Sequence, residues 1–379
     1  FRPLVGRYLE ALATLNIDRI VASEHDKVMV SDGERSLIGG RNIGAEYFTD
    51  PRDSRDTFHD TDLLLGGHSA ARALTAAFED QHESFDAWRA GGETVNLQSP
   101  EQELEIAYRA MDQTLRVGRL DATLAKKLRD TLPGFEEDLR ERPRLAGSLR
   151  RRDERTLSAE TRIVDSQTRE RSSDDPITQA IVRLVRSSSR RIVLQSPYLV
   201  LSEEAVELLA DAARRGVKIT ILTNSPVSSD NALSQAFFLE QWPEILARVP
   251  TMRLFVGGTK HTLHSKAGVF DGRVSMVGTY NLDPTSMMVN SEVMALVWSE
   301  RFADGVERVT RRMIERGPPH AYEYRIRRGP SGEAVRDEDG KPIVAFGPKD
   351  HADPERWTSL NVFWKGLRAA EWVGVSPFF

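Results

Sequence analysis

At 379 residues, with 40% hydrophobic and 29% charged side chains, the chain has the composition of a folded protein long enough for two domains rather than that of a disordered one. A formal charge of −5 and a pI near 6.0 give no global positive field to gather nucleic acid, and the absence of Cys excludes a disulfide framework, thiol catalysis and a Cys-ligated metal. No run approaches the ~18 apolar residues of a membrane-spanning helix.

In chain order, residues 2–15 have helical spacing through Leu4, Tyr8, Leu12 and Leu15, and Arg19 to Ala22 reads as a short strand. Val28 and Val30, a turn at Asp32-Gly33 and a second apolar run from Ser36 to Gly39 predict strand, tight turn, strand. Residues 41–60 are polar, carry Pro51 and read as a surface loop. Thr61 to Leu65 is a strand. Ser69 to Trp88 is a helix capped by Ser69 that buries Leu74, Ala77, Phe78, Phe85 and Trp88.

The composition then turns charge-rich and helical, with a basic run at 150–155 that reads as a solvated helix face. Beyond it the pattern alternates: strand from Arg191 to Val200, helix from Ser202 to Arg215 ended by Gly216, strand from Val217 to Thr223, helix from Asn231 to Arg248, strand from Met252 to Val256. A strand from Val293 to Trp298 and a helix over 301–316 follow. Strands alternating with helices predict an α/β fold with a largely parallel sheet. The last residues mix turns, a hairpin signal at Asp339-Gly340 and an aromatic end that includes Trp357, Trp364 and Phe379.

The chemistry is concentrated in a stretch that occurs twice. Residues 25–42 read HDKVMVSDGERSLIGGRN and residues 264–281 read HSKAGVFDGRVSMVGTYN; each sets a His before Lys at +2, Asp at +7, Gly at +14 and Asn at +17. Five matched offsets point to an internal duplication. The chain divides accordingly into a first lobe (1–90), a charge-rich linker (91–175), a second lobe (176–316) and a C-terminal extension (317–379). The second lobe has three strands before its motif and the first has room for far less, so the expectation is that the opening of the first lobe lies upstream of Phe1 or on a separate chain.

On a strand, residues i and i+2 face one side, so His25 points with Lys27 and His264 with Lys266. Two ammonium groups, the amides of Asn42 and Asn281 and two imidazoles that divide the proton work suit a phosphate. The turns at Gly39-Gly40 and Gly278-Thr279 would bring backbone close to an anion. Each His needs a carboxylate to fix its tautomer. Glu292 opens a strand after the second motif; its counterpart after the first is read as Asp62, with Asp60 the close competitor. Asp32 and Asp271 hold the hairpin turns. His261 with His264, and His59 with Asp60 and Asp62, suggest metal ligands, but Lys266 argues against a cation and the second group reads as a solvated loop. Ser225, Ser228 and Ser229 follow a strand end where α/β folds bind ligands.

HDKVMVSD with GGRN and HSKAGVFD with GTYN resemble the paired HxKxxxxD motifs of the phospholipase D superfamily. IGGRNIGAEYF, HDTDLLLGG, SPYLV, LTNS and VGTYNLDPTSMMVNSE resemble bacterial cardiolipin synthases of the C-type branch, a similarity covering roughly 20–90 and 176–315. The resemblance implies two pseudo-symmetric lobes, each a mixed, mostly parallel sheet flanked by helices, the first N-terminally incomplete. It also implies a two-step phosphoryl transfer in which His25 forms a phosphohistidine, His264 handles protons, and the Lys and Asn pairs neutralise the phosphate, so that neither metal nor other cofactor is called for. The implied partner is a phospholipid met by peripheral membrane contact, with no specific nucleic acid. Hydrolysis of the same bond, a nuclease and a silent scaffold are the alternatives.

Overall fold

The two motif copies fold as hairpins of identical register. In the computed structural model, β1 (Val28–Ser31) pairs β2 (Arg35–Gly39) with Val28 opposite Ile38, and Ala267 opposite Val277 repeats that pairing in the second copy. Both turns set Asp then Gly in the left-handed region, Asp32 and Gly33 at φ 55° and 63°, Asp271 and Gly272 at 54° and 70°; Asp tolerates this through its short polar side chain and Gly through its missing Cβ. The structure describes residues 24–49, 57–84, 100–117, 119–136, 157–167, 175–288 and 290–352. The helix and strand read over 2–22, the contacts of Phe85 and Trp88, the basic run 150–155 and the aromatic end lie outside them.

The first lobe continues with α1 (Ala45–Phe48), β3 (Phe58–His59), β4 (Asp62–Gly66) and α2 (His68–Ser84). Phe78, expected in the core, is 56% exposed: the buried stripe of α2 is Ala71, Leu74 and Ala77, and Phe78 lies one residue round the helix from it. The described residues between Trp88 and Ser158 form a compact unit of their own, with α3 (Pro100–Val117) and α4 (Ala122–Thr131), the latter capped by Asp121.

The second lobe follows as β5 (Glu160–Ser166), α5 (Pro176–Ser187), β6 (Arg191–Gln195), α6 (Glu203–Arg214), β7 (Lys218–Thr223), α7 (Ala232–Arg248), β8 (Met252–Gly257), β9 (Thr262–Leu263), β10 (Ala267–Phe270), β11 (Val274–Gly278), α8 (Pro284–Met288), β12 (Glu292–Trp298), α9 (Glu300–Glu315), β13 (Ala321–Ile326) and β14 (Val344–Phe346). Its sheet runs β14-β13-β8-β7-β6-β10-β11-β12-β5. The sheet is mixed as expected, but only β6, β7 and β8 pair in parallel. The motif hairpin and the strands flanking it pair antiparallel, because hairpin connections reverse direction where helical crossovers do not.

Two expected boundaries move. β5 falls inside the segment read as linker, yet pairs with the whole of β12. β13, in the segment read as an extension, pairs with β8. β13 alternates polar and apolar residues from Tyr322 to Ile326, whereas β5 carries only Ile163 and Val164 among polar residues, and the surrounding charge hides both from a composition-based reading.

The strands of the second motif are buried on both faces. Along β12, Val293, Ala295 and Val297 enter a core shared with Ile38, Leu63, Leu65 and Leu74 of the first lobe, while Met294 and Leu296 enter the core under α5, α6 and α7. This period of two explains the continuous apolar run and locks the register. The hairpin is tied to β6 by Asp271, whose carboxylate accepts the backbone N–H groups of Ser189, Arg190 and Arg191 at 2.9, 2.8 and 3.0 Å. Asp271→Ala strands those donors and places a Cβ without a polar partner at positive φ, and should cost about 2 kcal/mol in denaturant unfolding with the m-value unchanged; Asp271→Asn should cost clearly less.

Candidate active site

The segments ahead of the two motif histidines cross from lobe to lobe. β3 and β9 pair in parallel, Phe58 with Thr262 and His59 with Leu263, and Glu24 bridges Ser291 in the same sense. The chain leading into each His therefore runs beside the chain leading into the other lobe's carboxylate. His264 Nδ1 lies 2.8 Å from Asp60 Oδ2, and His25 Nδ1 lies 3.0 and 2.9 Å from the two oxygens of Glu292. Both carboxylates are fully buried.

Asp62 is not the counterpart of Glu292; Asp60 is. Gly39 pairs with Asp62 on one side and Gly278 with Met294 on the other, so the structural equivalent of Asp62 is Met294, and two residues back stand Asp60 and Glu292. Spacing along the chain could not settle this, because residues two apart on a strand share a face and the insertion over 45–60 removes the register. Asp62 instead accepts from Arg41 Nε at 2.6 Å, and Arg41 also donates to the backbone carbonyl of Tyr47.

The glycines before each Asn serve the strands rather than an anion. A Cβ at Gly40 would meet Asp60 Oδ1 at 2.4 Å and the His264 carbonyl at 2.8 Å, so only Gly lets the crossed carboxylate reach its histidine. In the second copy Thr279 takes this place and donates its hydroxyl to Glu292, as does Ser286.

With Nδ1–H given to a carboxylate, each Nε2 carries the lone pair. That of His25 faces no hydrogen-bond partner among the described residues, and its side chain is 21% exposed against 6% for His264. His264 Nε2 meets Lys266 Nζ at 3.1 Å and the Tyr47 hydroxyl at 3.5 Å. Phe58 stacks on the His264 ring at 5.6 Å, and Tyr47 packs edge-on against both. Burial pushes the His264 pKa down, although Asp60 opposes the shift.

Lys27 and Lys266 each donate to the carbonyl of their own motif His, at 2.8 and 2.6 Å. Burial brings Lys266 down to about 7; Asp60 and Glu292 resist the shift and the charge of Lys27 adds to it, so the two motif lysines share one site. Asn281 is buried, and its Oδ1 has no partner among the described residues, whereas Asn42 is exposed and donates to the Tyr47 hydroxyl at 2.9 Å. Sequence reasoning missed Tyr47, Phe58, Tyr198 and Asp230. The Tyr198 hydroxyl donates to Asp230 at 3.1 Å, and Asp230 acts electrostatically on His264 and Lys266. None of the four belongs to the repeat. Asp26 was also passed over; burial, then Asp165, Glu292 and Glu24, raise its pKa to about 8.

Residues 181–314 match the family described as cardiolipin synthase, PLD-like domain. An uncharacterized protein of Helicobacter pylori strain 26695 is 25% identical over 79% of this chain and 58% of its own length, so the chain spans a little over half of that relative. Cardiolipin synthase C of Escherichia coli K12 is 26% identical over 98% of this chain and 78% of its own length. The crystal structure of phosphatidylserine synthase from Haemophilus influenzae Rd KW20 superposes with a TM-score of 0.57 at 12% identity, covering 96% of this chain and 73% of that one, which establishes a common fold. Among the described residues no helix is long and apolar enough to cross a membrane.

Two outcomes follow from the site. Asp60→Asn should lower kcat/KM on a phosphodiester at least about 10²-fold with the far-UV spectrum retained, while Asp62→Asn stays within about tenfold; equal losses would refute the crossed assignment. Lys266 loses its charge as pH rises through about 7, so kcat/KM for an anionic phosphodiester should fall above that pH, and a limb found only near the ordinary lysine value of 10.5 would contradict the burial argument.

Proposed function

We propose, from the match of residues 181–314 to the cardiolipin synthase, PLD-like domain and the paired HxKxxxxD motifs, that this chain is a phosphatidyltransferase of the phospholipase D superfamily, of the cardiolipin synthase kind, working through a phosphohistidine. The observation that carries the reading is the crossed pairing of His25 with Glu292 and His264 with Asp60, which equips two imidazoles to act on a single phosphorus. His25 Nε2 attacks phosphorus and the bond to the leaving alcohol breaks. The leaving oxygen takes a proton from His264. An incoming alcohol then gives its proton to His264 as its oxygen attacks and the P–N bond breaks. Assigning attack to His25 rests on its more open Nε2; His264, with Lys266 and Tyr47 at its own Nε2, suits the proton transfers.

Lys27 and Lys266 stabilise the charge that gathers on the phosphoryl oxygens, and the buried amide of Asn281 adds a donor. A low pKa at His264 makes its imidazolium a stronger acid toward the departing alkoxide, and the anionic substrate raises the fraction protonated. The phospholipid is met at a membrane surface. Ile43, fully exposed beside Asn42, and Phe48, 52% exposed, present apolar side chains at this edge of the site and support peripheral contact.

Incubation with phosphatidylglycerol, with and without a second lipid alcohol, should give cardiolipin or the mixed transfer product by mass spectrometry. Phosphatidic acid alone would make the protein a hydrolase, and intact lipid beside cleaved oligonucleotide would overturn the lipid reading. His25→Ala and His264→Ala should each abolish turnover. Wild type denatured at alkaline pH should carry acid-labile, base-stable label from a phosphorus-labelled donor, and His25→Ala should carry none.

A further inference from the structure

The segment that carries Asn281 has a second side. Tyr280 and Leu282 turn away from Asn281, as neighbours on extended chain do, and help to wall a cavity of about 200 Å³ that Asn281 itself does not line. Ile181 of α5, Ala205 and Leu208 of α6 and Met287 of α8 complete its apolar wall. An apolar cavity of about 150 Å³ holds benzene, so this one has room for about eight carbons. A chain seated here lies on the far side of Asn281 from the two histidines, and so does not belong to the phospholipid whose phosphate they hold.

The polar groups on the wall ask nothing of a ligand. The Thr178 hydroxyl is shared with the Tyr280 hydroxyl at 2.6 Å and with the Asp175 carboxylate. Asp283 Oδ1 accepts from Thr285 Oγ1 at 2.7 Å and from the backbone N–H of Ser286 at 2.9 Å. The surface left to bury is apolar, and each methylene buried is worth a factor of about four in affinity. The rim carries two charges. Glu204 is engaged, its carboxyl held below the usual range by its own backbone N–H and by the Ser202 hydroxyl. Arg186 is exposed and makes no ion pair among the described residues. An occupant that suits both wall and rim has an alkyl body and an anionic head.

The cavity also touches the mechanism. Pro284 and Met287 line it, and between them on α8 the buried Ser286 donates to Glu292, the carboxylate that fixes the tautomer of His25. We propose that the cavity binds the anion of a medium-chain fatty acid, its alkyl chain against α5, α6 and α8 and its carboxylate on Arg186, and that the occupant braces α8 and with it the Glu292–His25 pair. The site goes beyond the transfer reading, and binding to it does not depend on that reading.

The test titrates the full chain calorimetrically with hexanoate, octanoate, dodecanoate and octanol below their micellar concentrations, and follows turnover of a soluble chromogenic phosphodiester. Octanoate should bind about sixteenfold more tightly than hexanoate, and dodecanoate should gain less than about twofold over octanoate because the cavity is then full. Arg186→Gln should weaken octanoate about tenfold, the scale of one charge-assisted contact, and leave octanol unchanged; Arg186→Lys should keep the octanoate affinity. Ala205→Phe fills the space and should abolish binding; should it fail to fold, the exposed Arg186 decides. Saturating octanoate should raise wild-type kcat/KM at least about fivefold, the lower end of coupling between two sites, and should not raise that of Ser286→Ala. No binding, affinity that keeps climbing to dodecanoate, or affinity indifferent to Arg186 would overturn the site. Competitive inhibition would place the chain in the active site and overturn it as well, and an unmoved kcat/KM would strike the coupling. A wild type inert toward both the phosphodiester and phosphatidylglycerol would sink the transfer reading and the coupling, while the titrations would still decide the site.

Discussion

Everything in the site depends on the exchange of carboxylates between lobes. A carboxylate with no solvent exposure is tolerated only where its oxygens find donors. Glu292 finds His25, Thr279 and Ser286; Asp60 finds His264 and the backbone N–H of Thr61. In each case the histidine comes from the other lobe, so neither half-site is satisfied alone. The apolar core follows the same rule, since Ile38, Leu63 and Leu65 pack against Val269, Val277 and Val293 across the lobe boundary. Register in the sheets, packing in the shared core and tautomer in the histidines are one constraint seen at three scales.

The lysines place a second demand on this frame. Burial lowers both Lys27 and Lys266, the latter to about 7, which means that the empty site holds its cations at a cost. Entry of a phosphodiester returns what burial removed, because the anion favours the charged form of each lysine. Binding should then take up protons wherever the free lysine is partly neutral. Asp26 does not cancel this positive charge, since its raised pKa keeps it largely protonated near neutrality. The equivalent position in the second copy is Ser265, neutral at any pH.

The repeat made half of this legible and no more. His25, Lys27, His264 and Lys266 were found because their offsets repeat, and Ser202 and Asn231, read as the first residues of their helices, stand as the N-caps of α6 and α7. The partner of His264 was not readable: Asp60 and Asp62 share a strand face, and only the pairing of Gly39 with Asp62 separates them. Strand β5 was lost in its charged surroundings, and the direction of the sheet's outer strands was lost because alternation reports crossovers, not the hairpins inserted between them. Tyr47 and Phe58 sit in a stretch too polar and too broken by Pro51 to read as anything but loop. Their place beside His264 is set by the β3–β9 crossing, a contact between residues some 200 positions apart.

The two copies share a skeleton but differ where the chemistry requires difference. Asn42 and Asn281 are followed at the same distance by α1 and α8, and Tyr47 stands where the second copy has Ser286. Ser286 turns inward and donates to Glu292, helping to hold that carboxylate against His25. Tyr47 is too large for that position and instead reaches His264 Nε2, while Arg41, anchored on Asp62, holds its backbone. One substitution at equivalent positions therefore leaves His25 open at Nε2 and encloses His264 among aromatic rings and Lys266. A symmetric pair of histidines could not assign attack to one and proton transfer to the other. The duplicated frame brings the pair together, and the unmatched residues around it, Tyr47 against Ser286, Gly40 against Thr279 and Asp26 against Ser265, give the two members different surroundings.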